Sequence, residues 1–123
     1  MENNSHTATT LNDTWRVLYA GINAANEFIR LADTYVPDNE TSEEAAARLQ
    51  QVCEARFLRA YYYFTLVRMF GDVPFRTEPT TDLNDLDIAR TSAVEIYHFI
   101  VQELNEIQAL MVNPDQVQYG HVA

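Results

Sequence analysis

The chain contains no lysine, and its eight basic residues are all arginines that face 18 acidic residues, for a net charge of -10. Nucleic-acid affinity depends on cations that meet phosphates, and anionic membranes attract polybasic segments. The charge balance therefore argues against nucleic acid as a partner and against an electrostatic contact with an anionic membrane surface. With only three glycines in 123 residues, the chain also lacks a glycine-rich loop that could cradle phosphate.

Residues that commonly carry catalysis or bind metals are few and scattered. The lone cysteine, Cys53, cannot form an internal disulfide and has no histidine near it in sequence, so neither a disulfide nor a thiol nucleophile is expected. His6, His98 and His121 lie in separate segments without metal-ligand spacing. The acidic stretch 82–87 reads either as a calcium loop or as a plain loop, and the plain loop is favoured. The sequence predicts no catalytic residue, no metal site and no cofactor.

The first half of the chain predicts one amphipathic helix over residues 13–36, preceded by a polar segment, 1–12, that is expected to be frayed or disordered. Its apolar residues are spaced alternately by three and four, as in a helix with one packed face. They are Trp15, Leu18, Ile22, Ala25, Ile29, Ala32 and Val36. Trp15 could be a sugar-stacking platform, but its place in this repeat favours a core position.

A second helix is predicted over 42–70. Thr41 and Glu44 form a T-x-x-E capping box at its start. Gly71 is expected to close it as a left-handed cap, and Pro74 prevents its continuation.

The remaining residues predict an extended connector over 71–91 and a third helix over 92–112. The third helix opens with an S-x-x-E box, and Glu103 and Glu106 lie off its apolar face, where they are expected to be solvated. The predicted fold class is therefore all-α, with three main antiparallel helices in a single domain.

The second helix is apolar on two faces, so it should lie between layers. Its second face is formed by Ala55, Leu58, Tyr62, Leu66 and Met69. Helices 1 and 3 can cover one face, so the other is expected to be exposed or to pair with a second copy of the chain. Within the main face stands Arg56, which is interpreted either as a buried structural ion pair or, less favoured, as a ligand-facing cation.

The stretch EARFLRAYYYFTLVRMFGDVPF, residues 54–75, resembles the signature of the SusD/RagB family. Two further blocks agree in order and spacing: WRVLYAGINAAN at 15–26 resembles a family helix, and so does the region from Arg90 to Leu104. The ending YGHVA at 119–123 resembles the family's step into its next helix.

The resemblance implies a tetratricopeptide-like helical scaffold that supports a more irregular half. It further implies a lipoprotein on the outer face of the Bacteroidetes outer membrane. Such proteins bind glycans or other nutrients, act as a lid on a SusC-like TonB-dependent transporter and are not enzymes. Members are several times longer than this chain, which is therefore expected to be an N-terminal scaffold fragment.

No ligand-binding residue can be assigned from these blocks, because they are scaffold blocks. Arg56, Gly71 and Pro74 are predicted to have structural roles. The alternative interpretation is a free-standing helical protein–protein interaction domain that only shares the packing of helix pairs.

Overall fold

The computed structural model describes the backbone of residues 3–80 and 89–112, and the side chains of 10–80 and 89–111. The described chain forms three α-helices: α1 (Asn3–Thr34), α2 (Ser42–Phe70) and α3 (Ala93–Val112). Both α1 and α3 pack against α2. The prediction of an all-α fold is confirmed. The acidic stretch 82–87 and the block 119–123 lie outside the described residues, as do the side chains of His6 and His121.

The first helix is longer than the sequence predicted. It begins at Asn3, so the expectation of a frayed segment before residue 13 is wrong for the described residues. No proline or glycine occurs between residues 3 and 12, so nothing there ends a helix. At the other end α1 stops at Thr34, since Pro37 disfavours helical geometry in the residue before it.

The bounds of α2 coincide with those expected, and its start carries the full capping box. The Glu44 backbone N–H donates to Thr41 Oγ1 (3.1 Å), and the Thr41 N–H donates to a Glu44 carboxylate oxygen (3.3 Å). Two of the unpaired N–H groups at the helix start are thereby satisfied. The acidic side chains of the first turn also suit the positive end of the helix dipole.

Gly71 ends α2 in a conformation that differs in part from the expected left-handed cap. Its φ is positive, 76°, but its ψ is -127°, which lies outside the left-handed helical region. The Gly71 N–H still donates to the Val67 carbonyl (3.0 Å). The chain then turns so that Val73 and Thr91 form an antiparallel bridge, which brings the two ends of the connector together.

Gly71→Ala should lower the free energy of unfolding by about 1–3 kcal/mol, because an L-residue rarely adopts this φ and ψ. A Cβ at this position would meet no heavy atom within 4 Å, so the effect should come from the backbone alone. Urea unfolding of both proteins measures it. An unchanged midpoint would contradict the assigned conformation.

The core lies where α1 and α3 meet α2 and the start of the connector. Its largest fully buried side chains come from all four segments: Tyr19, Ile22, Val52, Tyr63, Leu66, Val73, Pro74 and Ile96. Trp15 packs against this cluster, with its ring 5.0 Å from those of both Tyr19 and Phe70. The structure therefore places Trp15 in the core region.

The predicted exposure of the second face of α2 is largely wrong. Leu66 is 0% exposed and shares the core cluster with Leu18 and Ile22 of α1. Tyr62 is half-buried against α1 at Gly21, where a Cβ would lie 2.6 Å from its ring. The glycine thus permits the close approach of the two helices.

Part of the exposed apolar surface of α2 lies outside the predicted second face. Leu58 and Met69 remain exposed from the predicted second face. Phe57 and Phe64, which are not members of that face, are 49% and 37% exposed.

Candidate functional site

A buried ionic network joins α2 to α3. Arg56 donates from Nε to Glu103 Oε1 (3.0 Å) and from Nη2 to Glu103 Oε2 (2.5 Å). Arg59, one turn further along α2, donates from Nη2 to the same Oε1 (2.9 Å). Arg56 also pairs with Glu106. Arg56, Arg59 and Glu103 are each buried, so the Glu103 carboxylate is shared by two arginines inside the fold, and Glu106 supplies the second negative charge.

The network keeps its charges at neutral pH. Burial by itself raises the pKa of the Glu103 carboxyl, but the hydrogen bonds and charges of Arg56 and Arg59 outweigh it and hold that pKa below its usual range. The hydrogen bond to Glu103 raises the pKa of Arg56, which burial opposes. Arg56 therefore faces carboxylates of its own chain, in agreement with the favoured interpretation of a buried ion pair.

Glu103 was expected to be solvated, and that expectation is wrong. Its burial requires two arginines that are more than forty residues away in sequence. One signal in the sequence does point to it: two arginines stand three residues apart on α2, at 56 and 59, and two glutamates stand three apart on α3, at 103 and 106. Residues at this spacing share one helix face, so two such pairs can meet across a helix contact.

The network extends through α1 to the connector. Arg59 Nη1 donates to Asn26 Oδ1 (3.0 Å), and Asn26 Nδ2 donates to the backbone carbonyls of Arg76 (3.3 Å) and Glu78 (3.2 Å). Asn26 is itself only 2% exposed. The ring of Phe99 on α3 lies 5.4 Å from the Arg59 guanidinium. A chain of contacts therefore runs from α3 through α2 and α1 to the connector.

Two tyrosine hydroxyls fix the connector backbone to the helices. Tyr19 of α1 donates to the Pro74 carbonyl (2.5 Å), and Tyr63 of α2 donates to the Arg76 carbonyl (2.8 Å) and accepts from the Arg76 N–H (2.6 Å). Burial raises the pKa of Tyr63 to about 12 and that of Tyr19 as well, so both hydroxyls stay protonated donors.

The far end of the described connector is held in the same way, since Asn23 Oδ1 accepts from the Thr80 N–H (2.6 Å). We call this set of four side chains, together with the connector backbone that they bind, the connector clamp. Its members are Tyr19, Asn23, Asn26 and Tyr63.

Tyr63→Phe should lower the free energy of unfolding by about 1–3 kcal/mol, because it leaves a backbone N–H and a carbonyl of Arg76 without their hydroxyl partner. Tyr61→Phe is the matched control, since Tyr61 lies on the same helix and is 56% exposed; a change within about 0.5 kcal/mol is expected there. Urea unfolding compares the two. Equal effects would contradict the role given to the Tyr63 hydroxyl.

An open cavity of about 390 Å³ lies between α2 and α3. Its lining is mainly apolar: Gln50, Cys53, Glu54, Phe57, Leu58, Ile107 and Met111. Burial raises the pKa of the Cys53 thiol, which lowers the fraction of the reactive thiolate. Sites that bind small polar ligands usually combine an apolar wall with several convergent polar groups, and only two polar side chains line this cavity.

Within the described ranges, no group of three potential metal ligands occurs, and none of the described helices is long and apolar enough to cross a membrane. Of the three residues predicted to be structural, Arg56 lies in the ionic network and Gly71 ends α2. Pro74 presents its carbonyl to Tyr19.

The family model described as "Starch-binding associating with outer membrane", of the SusD-like group, matches residues 1–121. The starch-binding protein SusD of Bacteroides thetaiotaomicron is 40% identical over 75 residues, which are 61% of this chain and 13% of that protein. SusD-like protein P2 of Formosa agariphila is 35% identical over 91 residues, or 73% of this chain and 17% of its own length.

Among solved structures, surface glycan-binding protein A from Bacteroides uniformis superposes with a TM-score of 0.64 at 28% identity, over 81% of this chain and 20% of that one. The chain thus spans no more than about a fifth of the length of these relatives. Because the family model covers nearly all of its residues, the chain belongs to the SusD-like family.

Proposed function

We propose that this chain is the helical scaffold part of a glycan-binding protein of the bacterial outer-membrane surface. In this role it holds the path of the polypeptide and makes no contact with sugar. The whole protein would bind glycans or related nutrients and deliver them to a SusC-like TonB-dependent transporter, without catalysis.

The proposal rests on the contacts that polar side chains of the signature, residues 54–75, make inside the fold. Arg56 and Arg59 bind Glu103, and Tyr63 binds the connector backbone. Each of these groups is used inside the fold to join one segment to another. None of these three side chains lines the cavity between α2 and α3, where Glu54 is the one polar member of the signature. A signature used in this way supports a scaffold more than a binding site.

The glycan and outer-membrane parts of the proposal rest on the family. The matching model carries the words starch-binding and outer membrane, and two of the relatives are named as a starch-binding and a surface glycan-binding protein. The transporter partnership and the lipid anchor rest on the resemblance of the signature blocks alone.

Calorimetric titration of the chain with maltooligosaccharides should detect no heat of binding. The starch-binding protein of B. thetaiotaomicron, titrated under the same conditions as a positive control, should bind them. Micromolar affinity of the chain for an oligosaccharide would overturn the scaffold role, because a sugar site would then lie within these residues.

A graft tests the positive half of the proposal. The aligned segment of the B. thetaiotaomicron protein would be replaced by the matching residues of this chain, and starch affinity and melting temperature would be measured. A scaffold should leave the affinity unchanged. A folded graft with altered affinity or altered sugar preference would contradict the proposal, since the segment would then contribute to recognition.

The second candidate function is a helical protein–protein interaction domain. It is favoured by one observation, the row of exposed apolar side chains along α2 that includes Phe57, Leu58 and Phe64. Large exposed apolar patches commonly mark interaction surfaces.

A further inference from the structure

The buried ionic network and the connector clamp are joined by the contact between Arg59 and Asn26. Arg59 Nη1 donates to Asn26 Oδ1 (3.0 Å), and Asn26 is one of the four clamp residues. All four clamp side chains come from α1 and α2. Since Arg59 also binds Glu103, this contact gives α3 an indirect hold on the connector.

The contact with Arg59 fixes which way round the side-chain amide of Asn26 lies. An amide has one oxygen that accepts and one NH2 group that donates, whereas a guanidinium only donates. Asn26 must therefore present Oδ1 to Arg59. Its Nδ2 then donates to the carbonyls of Arg76 (3.3 Å) and Glu78 (3.2 Å). The reversed amide would set donor against donor at Arg59 and oxygen against oxygen at the connector.

The position of the Arg59 guanidinium depends in turn on α3. Its Nη2 donates to Glu103 Oε1 (2.9 Å), and the centre of the Phe99 ring lies 5.4 Å from it. Glu103 and Phe99 stand four residues apart, so they share one face of α3. Within the described part of the chain, Arg59 Nε has no hydrogen-bond partner. The guanidinium is therefore anchored by hydrogen bonds to Glu103 on one side and Asn26 on the other.

Burial makes these three side chains depend on one another. Arg59, Glu103 and Asn26 are all buried, so water does not readily replace a lost partner. Hydrogen bonds in such surroundings orient and polarise their neighbours. A change at Glu103 should therefore reach Asn26 through the guanidinium that both of them bind.

We propose that Arg59 is a relay that couples the docking of α3 to the path of the connector at residues 76–78. While Glu103 holds the guanidinium, the Asn26 amide is fixed with its NH2 group toward the connector. When the Glu103 charge is lost, the amide is free to turn, and the two connector carbonyls lose their donor. Glu103 is thus a positioning residue for a segment that it reaches only through Arg59 and Asn26.

A second route from α3 to the connector does not use Arg59. The ring of Phe99 lies 4.8 Å from that of Phe75 in the connector. This contact is apolar and does not depend on the charge of Glu103. A variant that changes only this charge therefore separates the two routes.

The coupling deepens the proposed scaffold role and rests on it, because the connector is the segment whose path the scaffold holds. The two are tested separately. A sugar site within the chain would overturn the scaffold role and leave the relay intact, whereas a failed relay would leave the calorimetric result unchanged.

Amide hydrogen exchange, measured by NMR on the chain, tests the relay. The reporters are the N–H groups of Arg76 and Thr80, which the clamp binds on either side of the two carbonyls that Asn26 holds. Glu103→Gln keeps the size of the side chain and removes its charge. It should speed exchange at both reporters about tenfold relative to the N–H of Leu66, which lies in the buried part of α2 and reports global unfolding.

Glu106→Gln is the matched control. Glu106 stands three residues beyond Glu103 on α3, but it pairs with Arg56. The substitution should leave the exchange of Arg76 and Thr80 unchanged. Equal acceleration by the two variants would overturn the relay, because the effect would then not depend on the carboxylate that binds Arg59.

A double-variant cycle with Asn26→Leu distinguishes the relay from a general loosening of the fold. In the Asn26→Leu background, Glu103→Gln should add no further acceleration at Arg76 and Thr80, because the relay is already interrupted. The same acceleration in both backgrounds would show that the effect bypasses Asn26 and would overturn the proposal. So would unchanged exchange in Glu103→Gln alone.

Asn26→Asp tests the relay even if Glu103→Gln does not fold. The new carboxylate still accepts from Arg59, but it repels the two connector carbonyls where the amide donated to them. The N–H groups of α3 should remain protected, while those of Arg76 and Thr80 should exchange about tenfold faster. Wild-type protection of both reporters would overturn the proposal, because the Asn26 donor would then not hold the connector.

Discussion

Glu103→Leu should lower the free energy of unfolding by about 3–5 kcal/mol, the largest loss expected from a single polar residue of this chain. The carboxylate accepts three hydrogen bonds from Arg56 and Arg59. Both arginines are 7% exposed, so water cannot replace the lost partner fully. Arg59 would then keep only its hydrogen bond to Asn26, and Arg56 only its pair with the half-exposed Glu106, so buried positive charge would lack a buried carboxylate.

Glu106→Leu provides the matched control, because Glu106 pairs with the same Arg56 but its side chain is 45% exposed. Its effect should be about 0–1 kcal/mol, as is usual for exposed ion pairs. Guanidinium unfolding of the wild type and both variants measures the difference. Similar effects of the two substitutions would show that Glu103 is not the central partner.

The same carboxyl makes the stability of the chain depend on pH. The pKa of Glu103 is lower in the folded chain than in the unfolded chain, where it is about 4.3. Its stabilising contribution is therefore complete above that unfolded value and is lost as the pH falls through the folded pKa. The stability difference between wild type and Glu103→Leu should shrink as the pH is lowered below about 4. A constant difference down to pH 3 would contradict the lowered pKa.

Leu66→Glu should lower the free energy of unfolding by more than about 4 kcal/mol and leave little folded protein. Leu66 is fully buried, and its neighbours in the core, Leu18 and Ile22, offer no partner for a carboxylate. The substitution should therefore act on folding. The sequence alone placed Leu66 on a face that would be exposed or would pair with a second copy, where the same change would have acted on self-association. Circular dichroism of the variant measures the loss of helix.

Met69→Glu is the control for this substitution. Met69 lies three residues further along α2, and the sequence placed it on the same face, but it is 44% exposed. The change should cost less than about 1 kcal/mol. A folded Leu66→Glu protein, as stable as Met69→Glu, would show that α1 does not cover this part of α2.

Local signals in the sequence predicted the elements of the fold well. Thr41 and Glu44 lie next to each other in space because they are three residues apart, so the capping box follows from the sequence alone. Gly71 was placed at a positive φ for the same reason, since few other residues end a long helix in this way. The start of α1 was misplaced because the polar residues before Trp15 contain no stop signal and their helix has no periodic apolar pattern to reveal it.

The packing was predicted less well, because it depends on the direction from which each partner helix arrives. A helical wheel shows that Phe64 and Leu66 lie on different sides of α2, but it cannot show which side α1 covers. The close approach of Gly21 to Tyr62 decides that question. Because the residues around Arg56 are apolar, the sequence could predict that the arginine needs a carboxylate partner. It could not predict that the partner is Glu103, since that depends on how α2 packs against α3.

The connector clamp binds the backbone of the connector and not its side chains. Tyr19, Asn26 and Tyr63 bind carbonyl and N–H groups that every residue type presents, apart from the N–H that proline lacks. These hydrogen bonds therefore require particular side chains on the helices, Tyr19, Asn26 and Tyr63, but not at the connector positions that they bind. Related chains can thus evolve new connector surfaces on an unchanged frame, and divergence should collect in the segment that the frame holds.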